Sequence, residues 1–181
     1  MRKIILLLLL LAPLPLSAQS YDDGYSHHQI GVEASMISGV GGTYSYIFDS
    51  VYRVKTTFWA YYEDNDNGNT NWTESVGLQL QMTLFRAELS RFYGFVGGFY
   101  YSHINNGSSY GYLSDYYESN NYTSAEHNFA GGLGVGVELM AWRHIALYLE
   151  GSFQYAGTNF SSGSRSRYIG PGIGAGMAFR F

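Results

Sequence analysis

The clearest pattern in the chain is a strict alternation of apolar and polar positions between Ser75 and Phe85. The apolar positions are Val76, Leu78, Leu80, Met82 and Leu84. The positions between them carry Ser, Gly, Gln and Thr. Because successive side chains of a strand point to opposite faces, this segment is predicted to be a β-strand with one apolar and one polar face.

Seven further segments alternate in the same way. The eight predicted strands are His28–Ile37, Val40–Phe48, Val51–Tyr62, Glu74–Arg86, Phe92–Ser102, His127–Ala141, His144–Ala156 and Tyr168–Phe181. No stretch after the first 18 residues has the 18 consecutive apolar residues that predict a membrane helix. The chain is therefore predicted to be all-β.

The connections between these strands alternate in length. The tight connections are Asp49-Ser50, Ala87–Arg91 and Trp142-Arg143. The long polar connections are Glu63–Thr73, His103–Glu126 and Gly157–Arg167. Short turns at one end and long loops at the other are typical of transmembrane barrels, whose long loops face outside. The first outer connection, near Ser38-Gly39, is an exception because it is very short.

The last strand separates a barrel from a soluble β-sandwich. One face carries Ile169, Pro171, Ile173, Ala175, Met177, Phe179 and Phe181, and the other carries Gly170, Gly172, Gly174 and Gly176. A hydrated sandwich surface rarely has glycine at four alternate positions. Inside a narrow barrel such glycines leave room for large residues of the facing strands. The fold class predicted is a closed, antiparallel, up-and-down transmembrane β-barrel, most simply of eight strands.

The end of the chain carries a family resemblance. Alternating Met177, Phe179 and Phe181 resemble the assembly signal of bacterial outer-membrane barrels, and the rhythm of turns and loops resembles the small barrels of the outer-membrane-protein-A and -X type. The resemblance implies a location in the cell outer membrane. It also implies contact with outer-membrane lipid and lipopolysaccharide, and recognition of the C-terminal strand by the barrel-assembly machinery.

Aromatic residues near the strand ends predict two belts at the water–lipid interfaces. The predicted outer belt contains Tyr62, Tyr101 and Tyr155, and the predicted inner belt contains Phe48, Tyr52, Tyr93, Trp142 and Phe179. The lipid-facing residues of the sixth strand are predicted to be Leu133, Val135, Val137 and Leu139.

The beginning of the chain has the layout of a cleaved secretory signal peptide. A basic start is followed by the apolar run Ile4–Leu11, by Pro13 and Pro15, and by small residues before Gln19. The predicted organisation is a signal peptide over 1–18, a short periplasmic segment over 19–27 and the barrel over 28–181. Without Arg2 and Lys3 the mature chain carries 8 basic and 14 acidic side chains, a formal charge of −6, which argues against nucleic acid as a partner. The chain has no cysteine, so no disulfide framework is expected.

The inward faces of the strands collect charged residues. Three are acidic and three are basic: Glu33, Glu138, Glu150, Arg53, Lys55 and Arg180. Buried charges are costly unless they are paired, so an interior network of ion pairs is predicted, with hydrogen bonds from Gln79, Gln81, Tyr148 and Gln154. An eight-stranded interior is just wide enough for side chains. A structural or interaction barrel is therefore predicted, and the alternative is a narrow gated channel for ions or small solutes.

Catalytic chemistry has little support in the sequence. No nucleophile elbow or metal-spaced histidine cluster occurs, so no enzyme, cofactor or metal is expected, and a lipid A-modifying enzyme is the third alternative. His103 and His127 flank the third long loop and, with Glu126, could form a metal or acid–base site, although solvated histidines are favoured. The acidic segment Glu63–Asn69 misses the spacing of a calcium loop.

The third long loop is the strongest candidate for binding a partner. Its tyrosines are Tyr110, Tyr112, Tyr116, Tyr117 and Tyr122, interleaved with Ser, Asn and Gly. This composition is familiar from recognition surfaces. The alternative, weighted almost equally, is that the fifth and sixth strands continue beyond the membrane as a hairpin.

Overall fold

The computed structural model describes residues 27–48, 51–65, 69–113, 116–142 and 144–181. These residues form a closed barrel of eight antiparallel strands in chain order, which confirms the predicted fold class. The strands are β1 (His28–Ser35), β2 (Gly39–Ile47), β3 (Tyr52–Asn65), β4 (Asn69–Arg86), β5 (Ser90–Leu113), β6 (Tyr116–Trp142), β7 (Ile145–Phe160) and β8 (Arg165–Arg180). The predicted signal peptide and residues 19–26 lie outside the described residues. Within the described ranges, no helix is long and apolar enough to cross a membrane.

The alternation of the sequence becomes an apolar exterior and a polar interior. Leu78 is 57% exposed on the outside of the barrel, whereas the adjacent Gln79 is fully buried inside it. The same contrast separates Leu149, 69% exposed, from Glu150, 6% exposed. An apolar outer band with a polar inside is the arrangement of a transmembrane barrel.

The strands differ greatly in length, and this difference shapes the two ends of the barrel. β1 and β2 have 8 and 9 residues, whereas β5 and β6 have 24 and 27. About 9–11 residues are enough for a tilted strand to cross the hydrocarbon. The β5–β6 hairpin therefore extends far beyond the membrane. We call that side the outer end, and the side that carries His28 and Phe181 the inner end.

The prediction of a long loop over His103–Glu126 is therefore wrong, because β5 and β6 continue as paired strands through most of this segment. The register runs from His103 opposite Glu126 to Leu113 opposite Tyr116. The backbone ladder satisfies the peptide groups whatever the side chains are, so a polar, glycine-rich composition concealed the strands. The hairpin alternative is the one that the structure shows.

The tip of the first hairpin folds into the barrel. Ile37, predicted to end the first strand, instead lies in the turn after Ser35, is 1% exposed, and clusters with Tyr93 and Phe95. Gly39 completes the turn with a φ of 85°, a conformation that glycine adopts without strain. The carbonyl oxygen of Ser38 lies so close to Gly77 that a Cβ there would be 1.9 Å away.

Two predicted members of the aromatic belts face inward instead. Tyr93 is 1% exposed in the interior, and Tyr101 lines an interior cavity. Both lie in β5 at the same alternate positions as the buried Phe95, so the period of two excludes them from the outer surface. Proximity to a predicted strand end was the wrong criterion for these two residues.

Candidate functional site

The inner half of the barrel is filled by charged side chains that converge on Glu138 of β6. Arg53 Nη1 of β3 lies 2.5 Å from Glu138 Oε2, and Arg91 Nη2 of β5 lies 3.4 Å from the same oxygen. Arg180 of β8 donates to Glu138 Oε1. All four side chains are at most 8% exposed. One carboxylate thus joins three guanidinium groups from three strands.

A second group of charges surrounds Lys55 of β3. Its Nζ lies 2.5 Å from Glu33 Oε2 of β1 and 3.0 Å from Glu150 Oε1 of β7. The Tyr148 hydroxyl donates to Glu33 Oε2 at 3.0 Å, and the Tyr93 hydroxyl donates to Glu150 Oε1 at 2.9 Å. Each carboxylate of this group therefore has more than one donor, as a buried charge requires.

Two glutamines of β4 join the two groups into one network. Gln79 Nε2 donates to Glu150 Oε2 at 3.1 Å, and Gln81 Nε2 donates to Gln79 Oε1 at 2.7 Å. Arg91 Nη2 in turn donates to Gln81 Oε1 at 2.5 Å. The network therefore takes side chains from β1 and from β3 to β8, and it ties together parts of the sheet that share no ladder.

The structure places all six interior charges named from the sequence within this network. It also adds Arg91, which the sequence analysis assigned to the turn Ala87–Arg91, whereas β5 begins at Ser90. The alternation of the sequence could have identified Arg91 as an interior residue, because it lies two residues before Tyr93 and four before Phe95, which both face inward. With Arg91 the network holds three acids and four bases.

The outer half of the interior contains a cavity of about 580 Å³. It lies on the outer side of the first hairpin, whose Ser35, Met36, Gly39 and Val40 border it. The opposite lining includes Phe99, Tyr101, Asn128, Ala130, Gln154 and Ala156. Gln154 is 2% exposed, and its Oε1 has no hydrogen-bond partner in the described part of the chain. The volume lies in the range of sites that hold small molecules.

The histidines considered for a metal or acid–base site do not converge. His103 lies directly opposite Glu126, whereas His127 lies opposite Ser102, so the two histidines point to opposite faces of the sheet. The His103 ring contacts the Thr73 hydroxyl at 2.8 Å and the Asn105 amide at 2.9 Å. The His127 ring contacts the Tyr100 hydroxyl at 2.7 Å. No group of three or more metal-ligating side chains occurs among the described residues.

The remaining candidates lie at the two ends of the barrel. Met177 and Phe179 are exposed on the lipid side, and the Phe181 ring stacks on His28 with ring centroids 5.9 Å apart. At the outer end, Tyr112 pairs with Tyr117 in the backbone register of the β5–β6 hairpin. The side chains of the five hairpin tyrosines lie outside the described part of the structure.

Comparisons with known proteins give little beyond the fold. No protein-family model matches the chain, and no curated protein is detectably similar. A crystal structure of CarO2 from Acinetobacter baumannii is 11% identical, with a TM-score of 0.42 over 85% of this chain and 98% of that one. A major outer membrane protein from Thermus thermophilus is 13% identical, with a TM-score of 0.45 over the same shares. At these values the likeness adds nothing to what the barrel itself shows. The apolar exterior, polar interior and long outer hairpin of this barrel are the architecture of a protein of the cell outer membrane.

Proposed function

We propose that this chain is an integral outer-membrane barrel with a structural and interaction role, whose inner half is closed by its own side chains. The buried network around Glu138 and Glu150 carries this proposal. Its ion pairs cross the interior between β1, β3, β6 and β8, where a solute would have to pass. Opening a path would separate buried charges, which is strongly unfavourable.

A second, apolar layer supports the closed state. Ile37 from the first hairpin packs with Tyr93 and Phe95 directly outside the charged network. Apolar constrictions obstruct ions by excluding water. The charged network and this apolar layer are two different barriers in series. Together they favour a barrel that does not conduct at rest, rather than the narrow gated channel.

Planar-bilayer recording of the purified, refolded protein tests this proposal. We expect no steady openings from the wild type or from Leu149→Ala, a lipid-facing control. Steady wild-type openings that Arg53→Ala or Glu138→Ala alters would instead identify the narrow channel. On a gel, the folded protein is expected to migrate differently from the boiled one, as a closed barrel should.

We further propose that the protein has no catalytic turnover. The ring contacts of His103 and His127 are to hydroxyl and amide groups. Among the described residues neither ring forms an ion pair with the Glu126 carboxylate, whose Oε1 accepts from the Asn128 amide at 2.8 Å. Lipid A mass spectra from cells with and without the protein test this point. Identical spectra are expected, and a change in acylation that depends on the protein would contradict the proposal.

The proposed partners are those of an outer-membrane resident. The exposed side chains of Met177 and Phe179 suit recognition by the barrel-assembly machinery, and the exposed Arg165 and Arg167 suit the phosphates of lipopolysaccharide. The β5–β6 hairpin is proposed to meet an extracellular partner. We expect Phe181→Ala to reduce the folded fraction in the outer membrane, whereas Phe160→Ala, at the outer end of β7, should leave it unchanged.

A further inference from the structure

The wall of the barrel is incomplete on the outer side of the first hairpin. β2 pairs with β3 only as far as Phe58, and β1 pairs with β8 only from Gly174 inward. Beyond these points, in the described register, residues 59–65 of β3 pair only with β4, and residues 165–173 of β8 pair only with β7. We call the gap between these two strand edges, with Met36 and Val40 at its base, the notch.

The notch begins at the depth of the lipid chains. The hairpin tip contacts Gly77 and Gly132, and the neighbours of these glycines, Val76 and Leu133, are 53% and 66% exposed on the lipid side. β1, with 8 residues, is also slightly shorter than the roughly 9–11 residues that cross the hydrocarbon. The base of the notch therefore opens toward the outer leaflet rather than toward water.

The β8 edge of the notch is adapted to hydrocarbon. The Phe181 amide donates to His28 of β1, so odd-numbered residues of β8 direct their backbone polar groups toward β1 and the notch. Pro171 is one of them and has no N–H to leave unpaired. Its carbonyl oxygen accepts from the Tyr168 hydroxyl at 2.8 Å, and the carbonyl of Ile173 accepts from the Met36 amide at 3.1 Å. At Pro171 and Ile173 this edge therefore has fewer unpaired backbone polar groups than a free strand edge, as a strand edge in lipid requires.

Behind the notch lies the cavity with the unpartnered acceptor of Gln154. Met36, Val40 and Trp59 border both the notch and the cavity, so the two spaces are continuous. Some other buried polar atoms also lack partners, among them the Nε atoms of Arg53, Arg91 and Arg180. Those arginines belong to the packed network, whereas Gln154 lines open volume. The oxygen itself is shielded from that volume, so the hydrogen-bond donor of a ligand reaches it after the Gln154 side chain rotates toward the cavity.

We infer that the notch and the cavity form a lateral binding site for a single-chain amphiphile from the outer leaflet. The head of the ligand occupies the cavity and donates a hydrogen bond to Gln154 Oε1. Its alkyl chain passes over Met36 and Val40 into the surrounding lipid. This inference rests on the proposed membrane placement, but it is independent of whether the inner half conducts.

Fluorescence quenching in lipid vesicles tests the site, because Trp59 borders it. The protein carries Trp72→Phe and Trp142→Phe, so that Trp59 is the sole tryptophan. The probes are 2-bromododecan-1-ol, which has a donor, and 2-bromododecane, which has none. We expect saturable quenching by the alcohol. Ala156→Phe, which fills the cavity, should abolish saturation, and Ala175→Phe, on the lipid-facing side, should preserve it.

The head contact has its own readout. Gln154→Leu is expected to weaken the alcohol about fivefold, as for one neutral hydrogen bond, and to leave the donor-free probe unchanged. Quenching that rises linearly and is insensitive to Ala156→Phe would overturn the inference. Quenching of Trp59 by aqueous iodide without a saturable alcohol phase would also overturn it, and would indicate a water-filled cavity.

A second protein separates this failure from a failure of the membrane placement. It keeps Trp142 alone, which is 69% exposed at the inner end. Linear quenching of Trp142 by both probes is expected for a barrel embedded in lipid. Absence of that quenching would contradict the membrane placement itself, and gel mobility of the unboiled sample would show whether each variant has folded.

Discussion

A buried glutamine has hydrogen-bond partners in the inner half of the barrel interior, whereas a buried glutamine in the outer half has an unpaired acceptor. In the inner half, Gln79 is fully buried, donates to Glu150 and accepts from Gln81. In the outer half, Gln154 is nearly as buried, yet its Oε1 has no partner in the described structure, and the residue borders a cavity. A filled, paired interior stabilises a fold, whereas an unfilled interior with an unsatisfied acceptor suits a ligand.

The boundary between the two halves is set by one short hairpin. Ile37 at its tip covers the charged network from the outer side, and the early end of β1 and β2 opens the wall beyond it. Longer first strands would pair with the edges of β3 and β8 and would close the notch. The length of the first hairpin therefore divides the interior into a part that stabilises the fold and a part that is available for binding.

The largest effect is expected from Glu138→Gln in the inner half. The substitution leaves Arg53, Arg91 and Arg180 around a neutral amide. Removing one partner of a buried ion pair costs about 3–5 kcal/mol. The measurement is the free energy of unfolding in urea of the protein refolded into lipid vesicles, followed by tryptophan fluorescence.

Glu126→Gln is the matched control in the outer half. Its carboxylate is half-buried and accepts a hydrogen bond from Asn128, so we expect a loss of about 1 kcal/mol or less. Equal losses for the two variants would mean that the inner network does not stabilise the barrel more than an ordinary polar contact does.

The next effect concerns the boundary itself. Ile37→Ala removes the buried side chain that separates the charged network from the cavity, and we expect a loss of about 3 kcal/mol. Val32→Ala is the control on the lipid-facing side of the same hairpin, where the side chain is 55% exposed. A loss in the same urea titration that does not exceed that of Val32→Ala would show that Ile37 is not the seal.

A glycine substitution tests how closely the hairpin tip is held. A Cβ at Gly77 would lie 1.9 Å from the Ser38 carbonyl oxygen, a backbone atom, whereas a Cβ at Gly151 would have no neighbour within 4 Å. Gly77→Ala should therefore displace the tip and cost about 2 kcal/mol, as overpacking does. Gly151→Ala should stay within about 0.5 kcal/mol of the wild type, and equal unfolding midpoints would contradict the contact.

The fold and the inner network follow from local rules that the sequence displays. A period of two assigns Glu138 and Glu150 to the inside and Leu139 and Leu149 to the outside, and burial forces the inward charges to pair. Arg91 was missed because the boundary of β5 was placed two residues too late, not because its alternate position was ambiguous.

The cavity and the notch could not be predicted in the same way. They depend on where the tip of the first hairpin lies relative to β4 and β6, which is a matter of register and of contacts distant in sequence, such as Ser38 over Gly77. The shortness of the connection near Ser38-Gly39 was visible in the sequence. Its consequence requires knowing that the hairpin ends at the depth of Val76 and Leu133.

The smallest effect is expected from Gln154→Leu, and its comparison with Gln79→Leu is the sharpest test of the contrast between the two halves. Gln79→Leu removes a donor from Glu150 and an acceptor from Gln81, so we expect a loss of about 1–3 kcal/mol. Gln154→Leu replaces an amide whose acceptor is already unsatisfied, and replacing such a group with an apolar one is expected to change the free energy of unfolding by less than about 0.5 kcal/mol. Both values come from urea titrations without added amphiphile. If Gln154→Leu cost as much as Gln79→Leu, the outer acceptor would have a partner in the folded protein, and the cavity would be a packed region rather than an open one.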